Sequence, residues 1–125
     1  MIYGVGTDIA KVSRFEKWVK NEDYIKRFFN SCEIMTGGSV NSKCEHYAAR
    51  FAAKEAFSKA LGTGITGFNL KDVFVTNNED GKPVLNVQNR AKQILENSCG
   101  NSNVFVSLSH EKEFAIAFVV IEKKD

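Results

Sequence analysis

Three groups of residues in this chain have types and spacings suited to chemistry. Glu55 and Lys59 stand one helical turn apart inside RFAAKEAFSKALGTG, residues 50–64, a stretch otherwise dominated by Ala and Phe. At about 100° per residue, Ala49, Ala53, Ala56, Phe57 and Ala60 form one apolar stripe, while Ala48, Phe51 and Ala52 flank the acid and the base on the opposite side. A helix apolar on both sides should be covered on both sides, where charge is costly unless paired, bound to a metal or turned toward a ligand. The second group is Asp8, which shares its strand face with Gly4 and Gly6, glycines that let another backbone or a ligand come close. The third is VSLSHEKEFA, in which Ser107 and Ser109 share one strand face and His110 opens a turn.

Each group also has an ordinary explanation. A lone Asp near a strand end usually caps a helix or accepts a bond in a turn. A Glu–Lys pair at this spacing usually contributes roughly a few tenths of a kcal/mol on a solvated face. A single His beside Ser is usually a cap or a surface residue, and the order of Ser, His and acid here fits no hydrolase triad. The Ala and Phe around Glu55 and Lys59 weaken the solvated-face explanation for that pair.

The elements that must position these groups alternate in type. Ile2 to Ile9 has strand periodicity, with Val5, Thr7 and Ile9 on one face and Gly4, Gly6 and Asp8 on the other. Ser13 and Glu16 have capping-box spacing ahead of a helix bearing Phe15, Trp18 and Val19, and Tyr24, Ile25, Phe28 and Phe29 continue at helical spacing. Thr36 to Cys44 reads as a loop or frayed start to the central helix, which Gly62 and Gly64 end while exposing backbone amides. Beyond Gly67 the period changes to two around Val73 and Val75, and Asn77 to Pro83 forms a hairpin turn that returns through Val84 to Val87. A short helix carries Ala91, Ile94 and Leu95. Two strands follow, Val104 to Ser109 and Phe114 to Ile121, and Lys123 to Asp125 reads as frayed.

Composition bounds the answer. A chain of 125 residues, 43% hydrophobic, supports one core and is short for two ordinary domains. A net charge of +2 is too mild to argue for nucleic acid, although Lys11, Arg14, Lys17, Lys20, Lys26 and Arg27 crowd one early stretch. Cys32, Cys44 and Cys99 are odd in number and form no CxxC pair, so reduced thiols in the cytoplasm are expected in place of a disulfide framework or zinc site. The N-terminus lacks a basic n-region and no window approaches a membrane span, so a soluble, unprocessed protein is expected.

The blocks YGVGTDIAKVSR, ARFAAKEAFSKALGTGI, the hairpin with Gly81-Lys82-Pro83, and VSLSHEKEFAIAF resemble, in order and spacing, the holo-acyl-carrier-protein synthases, short members of the 4'-phosphopantetheinyl transferase superfamily. The resemblance runs from Ile2 to about Val120. It implies an α+β fold: a small single domain over residues 1–125, with a mostly antiparallel sheet packed against a long central helix. The implied reaction moves the 4'-phosphopantetheine arm of coenzyme A onto a serine of an apo acyl carrier protein, releases adenosine 3',5'-bisphosphate, and supports fatty acid biosynthesis. A neutral hydroxyl attacking an anionic pyrophosphate needs positive charge and in-line positioning more than covalent chemistry.

By the same resemblance, Asp8 and Glu55 match the metal-binding acids, and Mg²⁺ suits two carboxylates completed by water and phosphate oxygens. Lys59 matches the phosphate-contacting lysine, and the turn through Gly62 and Gly64 matches a loop lying against coenzyme A. Arg50, Ser109 and His110 are expected near the nucleotide, partly across a subunit boundary, because the short members assemble as trimers with active sites between subunits. Lys54 lies on a different helix face from Glu55, where a solvated or interface role is expected. Arg14 coincides with the carrier-contacting arginine, while Lys11 departs from the pattern, which often has an acid there. The group taking the serine proton is left open among an activated water, Glu55 and His110. Two other readings stay open: a metal-dependent phosphohydrolase using Asp8, Glu55 and Lys59, and a non-catalytic phosphate or nucleic-acid binding module centred on the early basic stretch.

Overall fold

Helix α3, Val40–Leu61, is the element on which the rest packs in a computed structural model describing residues 1–65 and 67–124. Ser39 starts it by accepting a hydrogen bond from Ser42 N (3.0 Å), and Gly62 ends it in the left-handed region at φ 89°. Ala48, Ala49, Phe51, Ala52, Ala53, Ala56, Phe57 and Ala60 are all buried, so the helix is enclosed around most of its circumference, as its sequence requires. Its expected frayed start is resolved as ordered helix from Val40 onward.

Strands β1 (Ile2–Lys11), β4 (Ser102–His110) and β5 (Phe114–Lys123) form an antiparallel sheet in the order β1-β5-β4. Ala10, Val106, Ala115, Ala117, Val119 and Ile121 turn inward and are buried. The remaining strands, β2 (Val73–Asn77) and β3 (Pro83–Val87), pair antiparallel as a separate two-stranded sheet, so the expected antiparallel sheet is divided in two. Helix α4, Asn89–Cys99, buries Ala91, Leu95 and Cys99. Strand β1 continues past Ile9 because Lys11 still pairs with Phe114, and Lys123 closes β5; the fray expected at Asp125 lies outside the described residues.

Between β1 and α3 run a short 3-10 turn, Val12–Phe15, and the helices α1 (Glu16–Val19) and α2 (Glu22–Phe28). The capping box expected at Ser13 and Glu16 does not form. Val12 N donates to Glu113 O (2.8 Å) and Phe15 is wholly buried, so packing against the sheet and α3 sets the chain's entry. A capping box is found instead at Asn30 and Glu33.

Gly4 and Gly6 decide how closely β1 lies on α3. A Cβ on Gly4 would fall 2.0 Å from Ala60 O, and one on Gly6 would fall 2.0 Å from Ala56 O. The approach anticipated at these glycines is thus that of the helix backbone. Gly6→Ala is expected to push strand from helix and cost about 3 kcal/mol or more in urea unfolding; a loss under about 0.5 kcal/mol would show that the strand tolerates a wider separation.

Candidate functional site

Because β1 lies against α3, the side chain of Asp8 meets the helix one strand-repeat beyond Gly6. Lys59 Nζ donates to Asp8 Oδ1 (3.1 Å) and to Thr7 O (3.0 Å). Lys59 therefore leans onto the strand, and the simple Glu55–Lys59 ion pair that the spacing allows is not the arrangement found. Glu55, one turn earlier on α3, is close enough to feel both neighbours. Burial pushes its carboxyl above the usual glutamate value of 4.5 and the Asp8 charge adds to this, against opposing pulls from Lys59 and Arg14. A shallow cleft of about 290 Å³ lined by Thr7, Asp8, Ile9, Lys59 and Ile116 opens at this point. A larger one, about 540 Å³, lies elsewhere, around Lys11, Glu16, Cys44, Lys112 and Glu113, and its mixed charges give it no evident ligand preference.

Arg14 belongs to this first cluster. Its guanidinium lies 5.0 Å from the ring centre of Phe51, 5.7 Å from Phe15 and 5.9 Å from Trp18, a seat of aromatic faces that suits a cation. Phe51 is one helical turn before Glu55, so Arg14 is both exposed to a partner and within electrostatic reach of the carboxylate pair. Gly62 and Gly64 follow on the helix end at φ 89° and 69°, and an added Cβ at either would meet nothing within 4 Å. In contrast to Gly4 and Gly6, these two glycines border open space.

A second cluster occupies a different face of α3. Arg50 precedes Glu55 by about 7.5 Å along the axis and about 140° around it. Its Nη1 donates to His46 O (3.4 Å), and its buried Nε has no partner among the described residues. Burial draws the guanidinium below its ordinary range, while Glu33 and Tyr47 oppose the change. His110 approaches the same helix from the end of β4, where its Nδ1 lies 2.8 Å from Glu45 Oε1. Between them, burial and the Arg50 charge push His46 down to about 4, with a smaller push from His110 and an opposing bond to Glu33 O. Ser109 and His110 do not act as a pair: Ser109 faces outward beside Ile116, while His110 is on the helix side opposite Ala115.

The structure thus brings Asp8, Glu55, Lys59 and Arg14 together, and elsewhere along α3 it sets His110 on Glu45 and Arg50 on His46, with His46 feeling the charge of both Arg50 and His110. By the sheet register, Asp8 and His110 are two strands and two residues apart, about 12 Å between Cα atoms. Glu33, Glu45 and His46 were missed by sequence reasoning. The Asn30–Glu33 capping spacing was the available signal for Glu33, whereas nothing local distinguishes Glu45 from a surface acid.

Lys54 corrects an expectation. It is fully buried, donating to Glu33 Oε1 (2.6 Å), Leu70 O (3.0 Å) and Val73 O (2.6 Å), and Glu33 Oε2 in turn accepts from Val75 N (3.0 Å). A solvated or interface role is excluded because every ammonium hydrogen has an internal acceptor.

Chemically, the first cluster offers two carboxylates and an ammonium at an open edge. The described residues contain no group of three His, Cys, Asp or Glu able to hold a metal by themselves. Two repelling carboxylates do fit a hard divalent cation such as Mg²⁺, whose remaining positions are taken by water and phosphate oxygens.

Comparison with known proteins shows the family to which the chain is similar. The model of the 4'-phosphopantetheinyl transferase superfamily matches residues 4–119. The holo-(acyl-carrier-protein) synthase of Treponema denticola is 45% identical over 123 residues, covering 98% of this chain and 99% of that protein. The Pelagibacter ubique protein of the same name is 42% identical over 126 residues, covering 98% of each. Among solved structures, the holo-(acyl-carrier-protein) synthase of Bacillus anthracis in complex with CoA (3',5'-ADP) has a TM-score of 0.79 at 37% identity, with 99% of each chain covered. The acyl carrier protein synthase of Plasmodium yoelii with ADP bound has a TM-score of 0.88 at 29% identity, covering 100% of this chain and 98% of the other.

The raised Glu55 value has a measurable sign. Folded protein holds this proton to higher pH than unfolded chain does, so stability falls as pH rises through the shifted value. Without added divalent cation, Glu55→Gln is expected to stabilise the protein at pH 7 by on the order of 0.5 kcal/mol after solvent screening. The advantage should vanish below about pH 4, where the acid is protonated in both states. Urea unfolding at the two pH values checks this, and a destabilised variant at pH 7 would contradict it.

Proposed function

The chain belongs to the 4'-phosphopantetheinyl transferase superfamily, and from that membership we propose that it is a holo-acyl-carrier-protein synthase. It transfers the 4'-phosphopantetheine arm of coenzyme A to a serine of an apo acyl carrier protein and releases adenosine 3',5'-bisphosphate. The observation that carries this reading is the meeting of Asp8, Lys59 and Glu55 where β1 lies on α3.

In the reaction, the serine oxygen forms a bond to the phosphorus carrying the pantetheine arm, while the bridging P–O bond breaks in line and the serine loses its proton. Positioning and charge do the work in such a transfer. Asp8 and Glu55 are the residues that would hold Mg²⁺, which when bound supplies positive charge to the pyrophosphate. Lys59, already at the strand–helix edge, neutralises charge as it develops on the departing phosphate. Gly62 and Gly64 leave the helix end open to coenzyme A. Arg14 meets an acidic patch of the carrier from its aromatic seat, and the basic residues around it favour encounter.

Arg50 and His110 contact nucleotide phosphates, with Ser109 nearby, from a neighbouring copy of the chain. Their separation from Asp8 supports a site completed between copies. So does the outer face of the β1-β5-β4 sheet, where Val5 and Ile9 are 55% and 61% exposed and Phe105, Ile116 and Phe118 lie alongside at 51%, 44% and 45%. Apolar surface of this kind on a small protein is suited to burial against further copies, here through the head-to-tail interfaces of a cyclic homotrimer. The single-domain reading of residues 1–125 is supported by one continuous buried core joining β1, α3, β2, α4 and β5. No helix among the described residues is long and apolar enough to cross a membrane. A cytoplasmic place in fatty acid biosynthesis, without nucleic acid or membrane as partner, accords with the free thiols of Cys32, Cys44 and Cys99.

Intact-mass measurement of an apo acyl carrier protein incubated with the protein, coenzyme A and Mg²⁺ is expected to show addition of one phosphopantetheine, abolished by chelator. Hydrolysis of coenzyme A with an unmodified carrier would favour a phosphohydrolase instead. Glu55→Gln should lower transfer by about 10²-fold or more with the fold intact, and full activity in that variant would remove Glu55 from the site. Arg14→Glu should raise KM for the carrier about tenfold or more while leaving KM for coenzyme A nearly unchanged; an unaltered carrier KM would refute the docking role.

A further inference from the structure

Glu45 is the least expected member of the second cluster, and its geometry is fully determined. One carboxylate oxygen, Oε1, lies 2.8 Å from His110 Nδ1, and the other, Oε2, accepts from Asn41 Nδ2 at 2.8 Å. Its side chain is largely covered, 19% exposed, whereas that of His110 is 46% exposed. The acid is therefore the fixed partner and the imidazole the one facing outward. Asn41 and Glu45 are i,i+4 on the first turns of α3, so the helix presents the carboxylate at the point where β4 ends.

An ionised carboxylate can only accept, so Nδ1 must carry the hydrogen in this contact. That assignment fixes the other ring nitrogen: Nε2 is the atom left to meet a ligand. We infer that Glu45 is a positioning residue for coenzyme A binding, holding the His110 ring with Nδ1–H inward and Nε2 directed at a phosphate oxygen of the nucleotide. The inference rests on the reading of His110 as a phosphate contact. Donating to Glu45 from Nδ1 and to a phosphate oxygen from Nε2 at once requires the imidazolium form of the ring, set between Glu45 on one side and the ligand on the other. Arg50 adds a second positive group along the same helix, and His46 beside it stays neutral near pH 7 because its value is pushed down to about 4. The charge offered to a phosphate here is thus that of His110 and Arg50, with Glu45 keeping the former oriented. The nearby turn acid Glu111 does not compete for the ring in this arrangement, since its Oε1 accepts from Glu113 N and Phe114 N.

The test combines a spectroscopic and a kinetic readout on Glu45→Ala, Glu45→Gln, His110→Ala and the double variant Glu45→Ala/His110→Ala. Long-range ¹H–¹⁵N correlation of the His110 ring in wild type should show hydrogen on Nδ1, and Glu45→Ala should shift the neutral ring toward the Nε2–H form. KM for coenzyme A should rise about tenfold in Glu45→Ala with kcat within about twofold, and less in Glu45→Gln, whose amide oxygen can still accept from Nδ1. In the His110→Ala background, loss of Glu45 should add nothing further. An unchanged ring tautomer in Glu45→Ala, or an equal rise in KM with and without His110, would overturn the positioning role. If His110→Ala itself left KM for coenzyme A unchanged while the tautomer responded to Glu45, the Glu45–His110 bond would stand. The phosphate-contact reading, and the inference built on it, would then fall.

Discussion

The contact between two backbones, β1 and α3, is the constraint from which the rest of the site follows. Gly4 and Gly6 let the strand come so close to the helix that a single methyl group at either position would overlap a helix carbonyl. A strand held at this distance brings the short side chain of Asp8 within reach of Lys59 Nζ, 3.1 Å away. The same closeness puts a second carboxylate, Glu55, within range of Asp8. Repulsion between the two, aggravated by burial, is then built into the fold. A site that stores unfavourable charge in this way is suited to a cationic ligand that relieves it.

Around this contact the remaining charges are sorted by what the backbone can satisfy. Lys54 and Glu33 form a wholly buried pair whose other bonding positions are taken by main-chain groups of residues 30, 70, 73 and 75. Satisfied in this way, the pair ties α3 to the second sheet and to the segment leaving the Gly62–Gly64 turn. Adjacent residues on one helix therefore have unrelated surroundings: Lys54 is bonded inside the protein, while Glu55 feels the charges of Asp8, Lys59 and Arg14. Elsewhere on α3, His110 bonds Glu45 and Arg50 bonds His46, and His110 lies about 12 Å from Asp8 by the sheet register. One chain thus carries two separate clusters, and the outer face of the sheet is apolar.

Much of this was legible in the sequence. The enclosure of α3 was visible in its Ala and Phe on all sides, the hairpin in Asp80-Gly81, and the inward alternation of β5 in its period of two. Asp8, Glu55 and Lys59 could be singled out because polar residues in apolar or glycine-rich settings are costly without a purpose. What could not be read depended on distant parts of the chain. Lys54 looked like a surface residue because Glu33, 21 positions away, supplies its counter-charge. The Ser13–Glu16 spacing promised a capped helix, yet burial of Phe15 and the Val12–Glu113 bond imposed a 3-10 turn. The Ser109-His110 dipeptide looked like one unit, but adjacent residues on a strand face opposite ways.

The central claim is that the Asp8–Glu55–Lys59 cluster of one copy works with the Arg50–His110 cluster of another. The most direct measurement is phosphopantetheine transfer after mixing two inactive variants, Glu55→Gln and Arg50→Ala, under conditions that allow subunits to exchange. A site shared between copies predicts recovery of about a quarter of wild-type activity at equal mixing in a cyclic trimer, because some interfaces pair two intact clusters. If the mixture stayed as inactive as its parts while exchange was demonstrated, each site would have to be completed within a single chain.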